Sequence, residues 1–135
     1  MRPGPPRGTT ASLDIVVTSD MCASDSGEVI LPVYSTQALV GHLEQVSRSI
    51  LEPHLEEGEA ALGVAVDVRH REFVPVGERI TLEATVASVE PHRLVCEVMV
   101  RHRGSVAIRA TFEHQLISAD EIRARIAGRT VPSDS

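Results

Sequence analysis

Apolar side chains recur at helical spacing in one segment of the first half of the chain. In "STQALVGHLEQVSRSIL", residues 35–51, they form one stripe, which predicts an amphipathic helix. Ser35 or Thr36 can cap its N-terminus. Gly41 lies in mid-helix, where glycine costs about 1 kcal/mol relative to alanine, so we expect a neighbouring backbone, most simply a sheet, to approach there. The stripe consists of Leu39, Leu43, Val46 and Ile50.

Most of the remaining chain alternates with period two, which predicts β-strands. One short strand is expected before the helix, at 12–19, and a polar loop at 20–29. A second, short helix is expected in "SADEIRARIAGR", where Ser118 and Glu121 have capping-box spacing. The four strands between the two helices are expected at 61–73, 78–90, 94–103 and 105–118.

These elements predict an α+β fold in which one long helix packs on a five-stranded antiparallel sheet. Short turns predict that consecutive strands are neighbours. The chain has 135 residues, the size of one domain, which we expect at 12–129 between a disordered lead, 1–11, and a disordered tail, 130–135. One sheet face and one edge are left uncovered, so we expect a homodimer.

The amino-acid composition limits the classes of function that this chain can have. Aromatic residues make up only 2% of the chain, so the core must be aliphatic. The net charge is −6 and all 13 basic residues are arginine, which makes nucleic acid an improbable partner. No apolar run approaches the roughly 20 residues of a membrane span, and the N-terminus lacks the pattern of a signal peptide. The two cysteines, Cys22 and Cys96, do not make a disulfide framework, and Cys96 is expected to be a buried free thiol, so a cytoplasmic location fits best.

The chain lacks the sequence motifs of several kinds of chemistry. The six histidines are not paired at metal-ligand spacings. "HLE", residues 42–44, has the first half of a zinc deaminase signature, but the P-C-x-x-C half is absent. The chain also lacks a P-loop, a dinucleotide-binding glycine pattern and a G-x-S-x-G motif. We therefore expect neither a metal nor a cofactor.

Three polar residues stand out against their surroundings. His70 follows four aliphatic residues of the same strand parity, which are expected to be buried. Glu44 lies on the flank of the helical stripe, and Thr36 lies at the start of the helix. Each has an ordinary structural interpretation when taken alone, namely a hydrogen-bonded core histidine, a solvated carboxylate and a helix cap. The four aliphatic residues are Leu62, Val64, Val66 and Val68.

The segments "VYSTQALVGHLEQ" and "LGVAVDVRH" resemble the fluoroacetyl-CoA thioesterase family, a branch of the hotdog-fold thioesterases. The resemblance covers roughly residues 33–117. The family's catalytic Thr, Glu and His fall on Thr36, Glu44 and His70, at the family's spacing of eight and 34 residues from the Thr. The family's Gly near the thioester carbonyl, seven residues before the His, falls on Gly63.

The resemblance implies hydrolysis of a small or medium acyl thioester of CoA or of an acyl carrier. Its chemistry suits these residue types, since an imidazole can move a proton near neutral pH, a carboxylate can orient it or activate water, and a hydroxyl can act as nucleophile. The sequence leaves covalent and water-attack routes open. Thr36 and Glu44 are about 12 Å apart along a helix, too far for a direct hydrogen bond, so we expect the site to be completed across a dimer interface.

The expected substrate contacts are Gly63, which the resemblance implies, together with Arg69, Tyr34 and Ile30. The last two lie in "GEVILPVYS", where the fluoroacetyl-specific enzyme has an aromatic-rich lid. This segment is aliphatic except for Tyr34, so we expect a different acyl group. Arginines on strand ends are candidates for binding the phosphates of CoA. They are Arg69, Arg71, Arg93, Arg101 and Arg103.

Two other functions remain open. The first is a hotdog-fold hydratase or dehydratase, which would pair an Asp with the His. Asp67 is three residues from His70 and has the opposite strand parity, so it is expected to face away. The second is a non-catalytic acyl-binding module on the same fold.

Overall fold

The structure, a computed structural model, describes residue 1 and residues 3–25 and 28–129. The tail predicted to be disordered, 130–135, lies outside the described residues. Two short 3₁₀ turns, Ser19–Met21 and Glu52–His54, accompany the main elements. The strands are β1 (Thr10–Val16), β2 (Cys22–Asp25), β3 (Glu28–Tyr34), β4 (Glu59–His70), β5 (Arg79–Glu90), β6 (Arg93–His102) and β7 (Ser105–Ser118), and the helices are α1 (Thr36–Leu51) and α2 (Ala119–Gly128).

The predicted architecture is confirmed. Five strands form one antiparallel sheet in the order β1-β5-β6-β7-β4, and α1 packs on one of its faces. The helical stripe predicted from the sequence is buried, as are the alternate residues of β5 that face it. Ser118 caps α2, because its side chain accepts a hydrogen bond from the Glu121 N–H at 3.2 Å. The core is mainly aliphatic, as the composition required.

The connection between β4 and β5 differs from the prediction. These consecutive strands are not neighbours, since β4 lies at one edge of the sheet and β5 pairs with β1 and β6. The connecting segment, 71–78, satisfies its backbone groups elsewhere. The Tyr34 N–H donates to the Val74 carbonyl at 2.8 Å, and the Val76 N–H donates to the Pro32 carbonyl at 2.9 Å. The segment therefore pairs with β3 and crosses the sheet instead of forming a hairpin turn.

The polar loop predicted at 20–29 is also wrong in part. It contains β2 and the start of β3, which form a separate two-stranded antiparallel sheet. The lead before β1 is tied to the domain as well. Gly8 donates to the Val86 carbonyl at 2.9 Å, Val86 donates to the Thr9 carbonyl at 2.8 Å, and β1 begins at Thr10. Ordered pairing therefore begins before the domain boundary predicted at residue 12.

Gly41 does not mark a close backbone approach. It lies on the exposed side of α1, and a Cβ at this position would have no neighbouring atom within 4 Å. The expectation of a sheet against Gly41 is therefore wrong, because the stripe that faces the sheet lies on the other side of the helix.

The strand β4 is less buried than its apolar alternation predicts. A bulge between Gly63 and Ala65 shifts the register with β7, so Leu62 faces away from α1 while Val66 faces it. Leu62 is 43% exposed because it lies on the uncovered face, and residues 64 and 66 are 48% and 44% exposed because β4 is an edge strand with no neighbour on its outer side. The predicted continuous buried face is therefore wrong.

The sheet face opposite α1 is polar, so it does not itself need a covering layer. Its charged side chains form ion pairs within β4 and between neighbouring strands. The unpaired outer edge of β4, with its half-exposed aliphatic residues, is the surface that a partner would cover. In the described ranges, α1 and α2 are too short or too polar to cross a membrane. The ion pairs on the polar face join Arg69 to Asp67, Arg93 to Glu113 and Arg101 to Glu83.

Candidate active site

The hydroxyl of Thr36 lies against the imidazole of His70. Ser35 is the helix N-cap, because its Oγ accepts a hydrogen bond from the Ala38 N–H at 3.1 Å. Thr36 is therefore not needed as a cap, and its Oγ1 lies 3.0 Å from Nε2 of His70. Both side chains are exposed. The fold thus brings together two residues that are 34 positions apart in sequence.

The end of β4 holds His70 in place. His70 lies opposite Ile108 of β7, whose side chain is buried beneath α1, so the imidazole lies on the helix-facing side. Beyond His70, the N–H groups of Arg71 and Glu72 both donate to the Ala107 carbonyl, at 2.8 and 3.1 Å. An imidazole can occupy this inward parity because the sheet edge is open here and the helix begins beside it.

Glu44 lies over Gly63, further along α1 and β4. A Cβ on Gly63 would be 3.1 Å from Oε2 of Glu44 and 2.7 Å from Cζ of Phe112. Only glycine allows this close approach without displacing a neighbour. The three residues line an open groove of about 320 Å³. The other residues that line it are Val40, Val64, Ala65 and Val66.

Within one chain, the predicted catalytic residues and Gly63 therefore form two clusters. Thr36 and His70 form the first, and Glu44 with Gly63 forms the second. The two helix residues are about 12 Å apart along the axis at 1.5 Å per residue. A direct contact between the carboxylate and the Thr36 hydroxyl within one chain is excluded by this spacing.

Tyr34 has a partner inside the protein. Its phenol is buried and hydrogen-bonds Nδ1 of His42 at 2.5 Å, and the two rings stack with centroids 5.7 Å apart. Burial raises the pKa of the Tyr34 phenol far above its ordinary value and lowers the pKa of His42. Both groups are therefore neutral near pH 7, and the phenol donates to the imidazole. This contact ties β3 to α1.

The remaining substrate candidates lie in different surroundings. Ile30 is 61% exposed on β3, between the similarly exposed Val29 and Leu31. Arg69 lies on the sheet face opposite His70, where its Nε is 3.0 Å from Oδ1 of Asp67. Asp67 faces away from His70, as its parity predicted, so the two do not form the pair that a hydratase would need.

His114 was not predicted as a site residue from the sequence. Like His70 on β4, it lies at a position of β7 whose side chain faces α1. It is completely buried, and neither ring nitrogen has a hydrogen-bond partner among the described residues. Its position on an otherwise apolar strand face was the available signal. Within the same part of the chain, no group of three His, Cys, Asp or Glu side chains could hold a metal ion.

Comparison with known proteins identifies the relatives of this chain. The family described as "FlK: Fluoroacetyl-CoA-specific thioesterase" matches residues 17–120. The fluoroacetyl-CoA thioesterase of Streptantibioticus cattleyicolor is 31% identical over 98 residues, which are 73% of this chain and 70% of that protein.

Solved structures agree with the sequence match. A Thermus thermophilus hypothetical protein, described as a thioesterase superfamily member, superposes with a TM-score of 0.86 at 29% identity, covering 94% of this chain and 93% of the other. The fluoroacetyl-CoA thioesterase FlK superposes with a TM-score of 0.83 at 27% identity, covering 95% and 99%. A hot-dog-like protein from Thermanaerovibrio acidaminovorans shares the fold, with a TM-score of 0.85 at 23% identity and 93% of each chain covered. The predicted hotdog fold is therefore confirmed, and the chain belongs to the FlK family of fluoroacetyl-CoA-specific thioesterases.

Proposed function

We propose that this protein hydrolyses acyl-CoA thioesters with Thr36, His70 and Glu44 as its catalytic residues. The observation that carries the proposal is the 3.0 Å hydrogen bond between the Thr36 hydroxyl and Nε2 of His70, because a nucleophile within reach of a base is the arrangement that acyl transfer needs. Family membership supports the reaction class. A mutant of the relative FlK has been crystallised in complex with acetyl-CoA.

The hydrogen bond favours a covalent route. The Thr36 oxygen adds to the thioester carbonyl while its proton passes to Nε2 of His70. The C–S bond then breaks, the departing thiolate takes this proton, and the acyl group remains as an ester on Thr36. Water hydrolyses the ester with His70 again as the base, which releases the acid and restores the hydroxyl.

The start of α1 supplies the second requirement, stabilisation of an oxyanion. Thr36 is the first residue of the helix, where N–H groups lack acceptors within the helix and the helix dipole is positive. Negative charge that develops on the carbonyl oxygen near Thr36 is stabilised by these donors. Glu44, which reaches the site from a second subunit, orients the attacking water.

The acyl group of the substrate is proposed to be aliphatic and different from fluoroacetyl. Ile30, Val29 and Leu31 expose an apolar surface on β3, and β3 leads directly through Tyr34 and Ser35 into Thr36. The Tyr34 hydroxyl is hydrogen-bonded to His42, so the surface available to an acyl chain is aliphatic. Burial of an acyl chain against such a surface stabilises the bound substrate by about 0.8 kcal/mol for each methylene group.

Arg71 is the arginine best placed to bind a phosphate of CoA. It directly follows His70 and is exposed. The other four arginines proposed from the sequence are paired with carboxylates, whereas Arg71 has no ion pair among the described residues. The partners are Asp67 for Arg69, Glu113 for Arg93, Glu83 for Arg101 and Glu78 for Arg103.

A panel of acyl-CoAs, with matching acyl-pantetheines, tests the proposed function. We expect release of free thiol from aliphatic acyl-CoAs of small and medium length, faster than from fluoroacetyl-CoA, and a lower KM for the CoA esters than for the pantetheines. Hydration of an enoyl-CoA without thiol release would identify a hydratase instead. Binding without either reaction would identify an acyl-binding module.

A homodimer formed through β4 is the proposed assembly. The outer edge of β4 carries unpaired backbone groups, and the aliphatic residues at 62, 64 and 66 are nearly half exposed. Antiparallel pairing of two β4 strands about a two-fold axis between Val66 and Asp67 would place Gly63 of one strand beside His70 of the other. Glu44 lies over Gly63, so each subunit would complete the Thr36–His70 cluster of its partner.

Val66→Asp is expected to convert the dimer into monomers, because it places a charge in the apolar surface that the partner covers. Size-exclusion chromatography with light scattering should show the mass of two chains for the natural protein and of one for the variant. Val16→Asp is the matched control, since Val16 is 46% exposed, against 44% for Val66, and lies on the opposite edge strand. A monomeric natural protein at micromolar concentration would refute the assembly.

Gly63→Ala is expected to lower thioester hydrolysis by about 10²-fold, because the new methyl group would displace Glu44 or Phe112 from the groove. The same crowding should cost about 1–3 kcal/mol of unfolding free energy. Initial rates and chemical denaturation measure the two effects. Gly41→Ala is the control. It meets no atom within 4 Å and should gain about 0.5–1 kcal/mol without changing the rate. Unchanged activity in Gly63→Ala would remove Gly63 from the site.

A cytoplasmic location is proposed with the function. Cys22 and Cys96 are both free and buried in the described structure. Unpaired cysteines are typical of a reducing compartment.

A further inference from the structure

Phe73, in the segment that connects β4 to β5, is an aromatic residue that the fold leaves in solvent. Its side chain is 80% exposed, whereas the other two aromatic residues of the chain, Tyr34 and Phe112, are buried. A single exposed apolar residue is ordinary. What distinguishes Phe73 is its position beside the candidate active site and the way its backbone is held there.

Hydrogen bonds fix the backbone on both sides of Phe73. Before it, the Glu72 N–H donates to the Ala107 carbonyl at 3.1 Å, and after it, the Val74 carbonyl accepts from the Tyr34 N–H at 2.8 Å. The Val74 side chain is buried. The exposed ring therefore projects from a backbone that is already ordered, so little conformational entropy is lost when a ligand packs on it.

Phe73 lies close to the proposed catalytic pair. It is three residues after His70, so the Cα atoms of the two residues are at most about 11 Å apart. Val33 bridges Pro75 in antiparallel register. Continued by two residues, this register places Phe73 opposite Ser35, the residue before the proposed nucleophile. The ring is therefore within reach of a substrate bound at the pair.

The partner subunit is not the occupant that this position favours. The proposed dimer uses the outer edge of β4, and the chain turns away from that edge after His70. The N–H groups of the next two residues, Arg71 and Glu72, both donate to the Ala107 carbonyl of β7, which is the neighbour of β4 inside the sheet. Phe73 therefore follows a turn toward the interior of the sheet and lies away from the proposed interface.

The acyl chain of the substrate is also not favoured, because its proposed surface is distant from the ring. That surface is residues 29–31 of β3. In the register that pairs Val33 with Pro75, Leu31 lies opposite Gly77, which is about 13 Å from Phe73 at 3.3 Å per residue of extended chain. The ring is therefore available to the other half of the substrate, the thiol arm.

Pantetheine, the thiol arm of CoA, has a suitable length and chemistry. Roughly ten bonds, about 12 Å when extended, separate its sulfur from a carbon that carries two methyl groups. This length is comparable to the reach from His70 to Phe73, and the methyl groups can pack on the apolar face of an aromatic ring. The first phosphate of CoA follows shortly after them, and Arg71, the arginine proposed to bind a phosphate, is two residues before Phe73.

We propose that Phe73 is a substrate-binding residue whose ring packs against the dimethyl end of the pantetheine arm. The inference rests on the proposed function, since it takes the thioester to lie at Thr36 and His70. The contact is remote from the reacting atoms, so it is equally strong in the bound substrate and in the transition state. It therefore contributes to the affinity for every pantetheine thioester and not to the rate at which a bound thioester reacts.

Phe73→Ala is expected to raise KM about tenfold for acyl-CoAs and acyl-pantetheines with little change in kcat, because the apolar contact with the two methyl groups is lost. KM for the matching acyl-N-acetylcysteamines, which lack the dimethyl group, should stay as it is in the natural protein. The ratio should be the same for every acyl length. Phe73→Leu keeps an apolar side chain and should recover part of the affinity. Initial rates of thiol release measure these constants.

The contact can also be measured without any reaction. Isothermal titration calorimetry with free CoA and with pantetheine should give dissociation constants about tenfold higher for Phe73→Ala than for the natural protein. If the protein hydrolyses none of the thioesters, the proposed function fails, and the titrations still decide the role of Phe73. A natural protein that binds neither thiol, or a variant that binds both as tightly as the natural protein, would overturn the proposal.

Ile126→Ala is the matched control, since Ile126 is an exposed apolar residue on α2, outside the candidate site. It should change neither KM nor the dissociation constants, and an equal effect in both variants would mean that the loss is not specific to Phe73. An effect of Phe73→Ala that grows with acyl length would place the ring against the acyl chain. Conversion of a dimer into monomers by Phe73→Ala, seen by light scattering, would place it against the partner subunit. Each of these three results contradicts the proposal.

Discussion

His70→Ala is expected to lower thioester hydrolysis by about 10²–10⁴-fold, the usual contribution of a general base. The imidazole lies 3.0 Å from the Thr36 hydroxyl, and without it the hydroxyl has no base to take its proton. The side chain is exposed, so its removal should change the free energy of unfolding by no more than about 0.5 kcal/mol. Initial rates of CoA release and a thermal melt measure the two quantities.

His92→Ala is the matched control for this variant, since His92 is an exposed histidine in the turn between β5 and β6. Its rate should equal that of the natural protein. If His70→Ala unfolds the protein, or keeps its rate within a few-fold, His70 is a structural residue and the assignment is wrong.

Mixing two inactive variants is expected to restore activity. In a dimer of Thr36→Ala with Glu44→Ala, one of the two sites combines an intact Thr36 with an intact Glu44 from the other subunit. That site should give each mixed dimer up to about half the activity of the natural dimer. The physical reason is the separation of Thr36 and Glu44 by about 12 Å along one helix, which prevents a single chain from supplying both to one substrate.

The structure also supplies a negative control for the mixing experiment. Thr36 and His70 hydrogen-bond within one chain, so a mixture of Thr36→Ala with His70→Ala should stay inactive. Independent evidence of subunit exchange, such as mass spectrometry of labelled chains, completes the experiment. Absence of recovery in the first mixture despite exchange would show that each chain holds its own complete site.

Local sequence patterns predicted most of the secondary structure because each pattern reports on neighbouring residues. The stripe in residues 35–51 reports burial on one side of a helix, and α1 extends from Thr36 to Leu51. The alternation in residues 78–90 reports a half-buried strand, and β5 extends from Arg79 to Glu90. The β2–β3 hairpin was missed, since its strands pair with each other across a polar stretch that has no clear period.

The sequence by itself determined the residue types at the site, through their spacing and the family resemblance. Thr36 and His70 meet as that resemblance implied. The sequence allowed either Ser35 or Thr36 to cap α1. The structure shows the cap on Ser35, and for this reason the Thr36 hydroxyl is available to His70.

Tertiary structure alone decided the surroundings of the site. The bulge after Gly63 changes which face of β4 each later residue occupies, and no periodicity in "LGVAVDVRH" encodes an extra residue in one strand of a pair. The order β1-β5-β6-β7-β4 makes β4 an edge strand, so aliphatic residues that the sequence pattern predicted to be buried are half exposed. Burial of His114 opposite Gly63 is likewise a property of the pairing between β4 and β7. Strand pairing joins residues that are distant in the chain, and for this reason local patterns could predict the strands but not the neighbours of each strand.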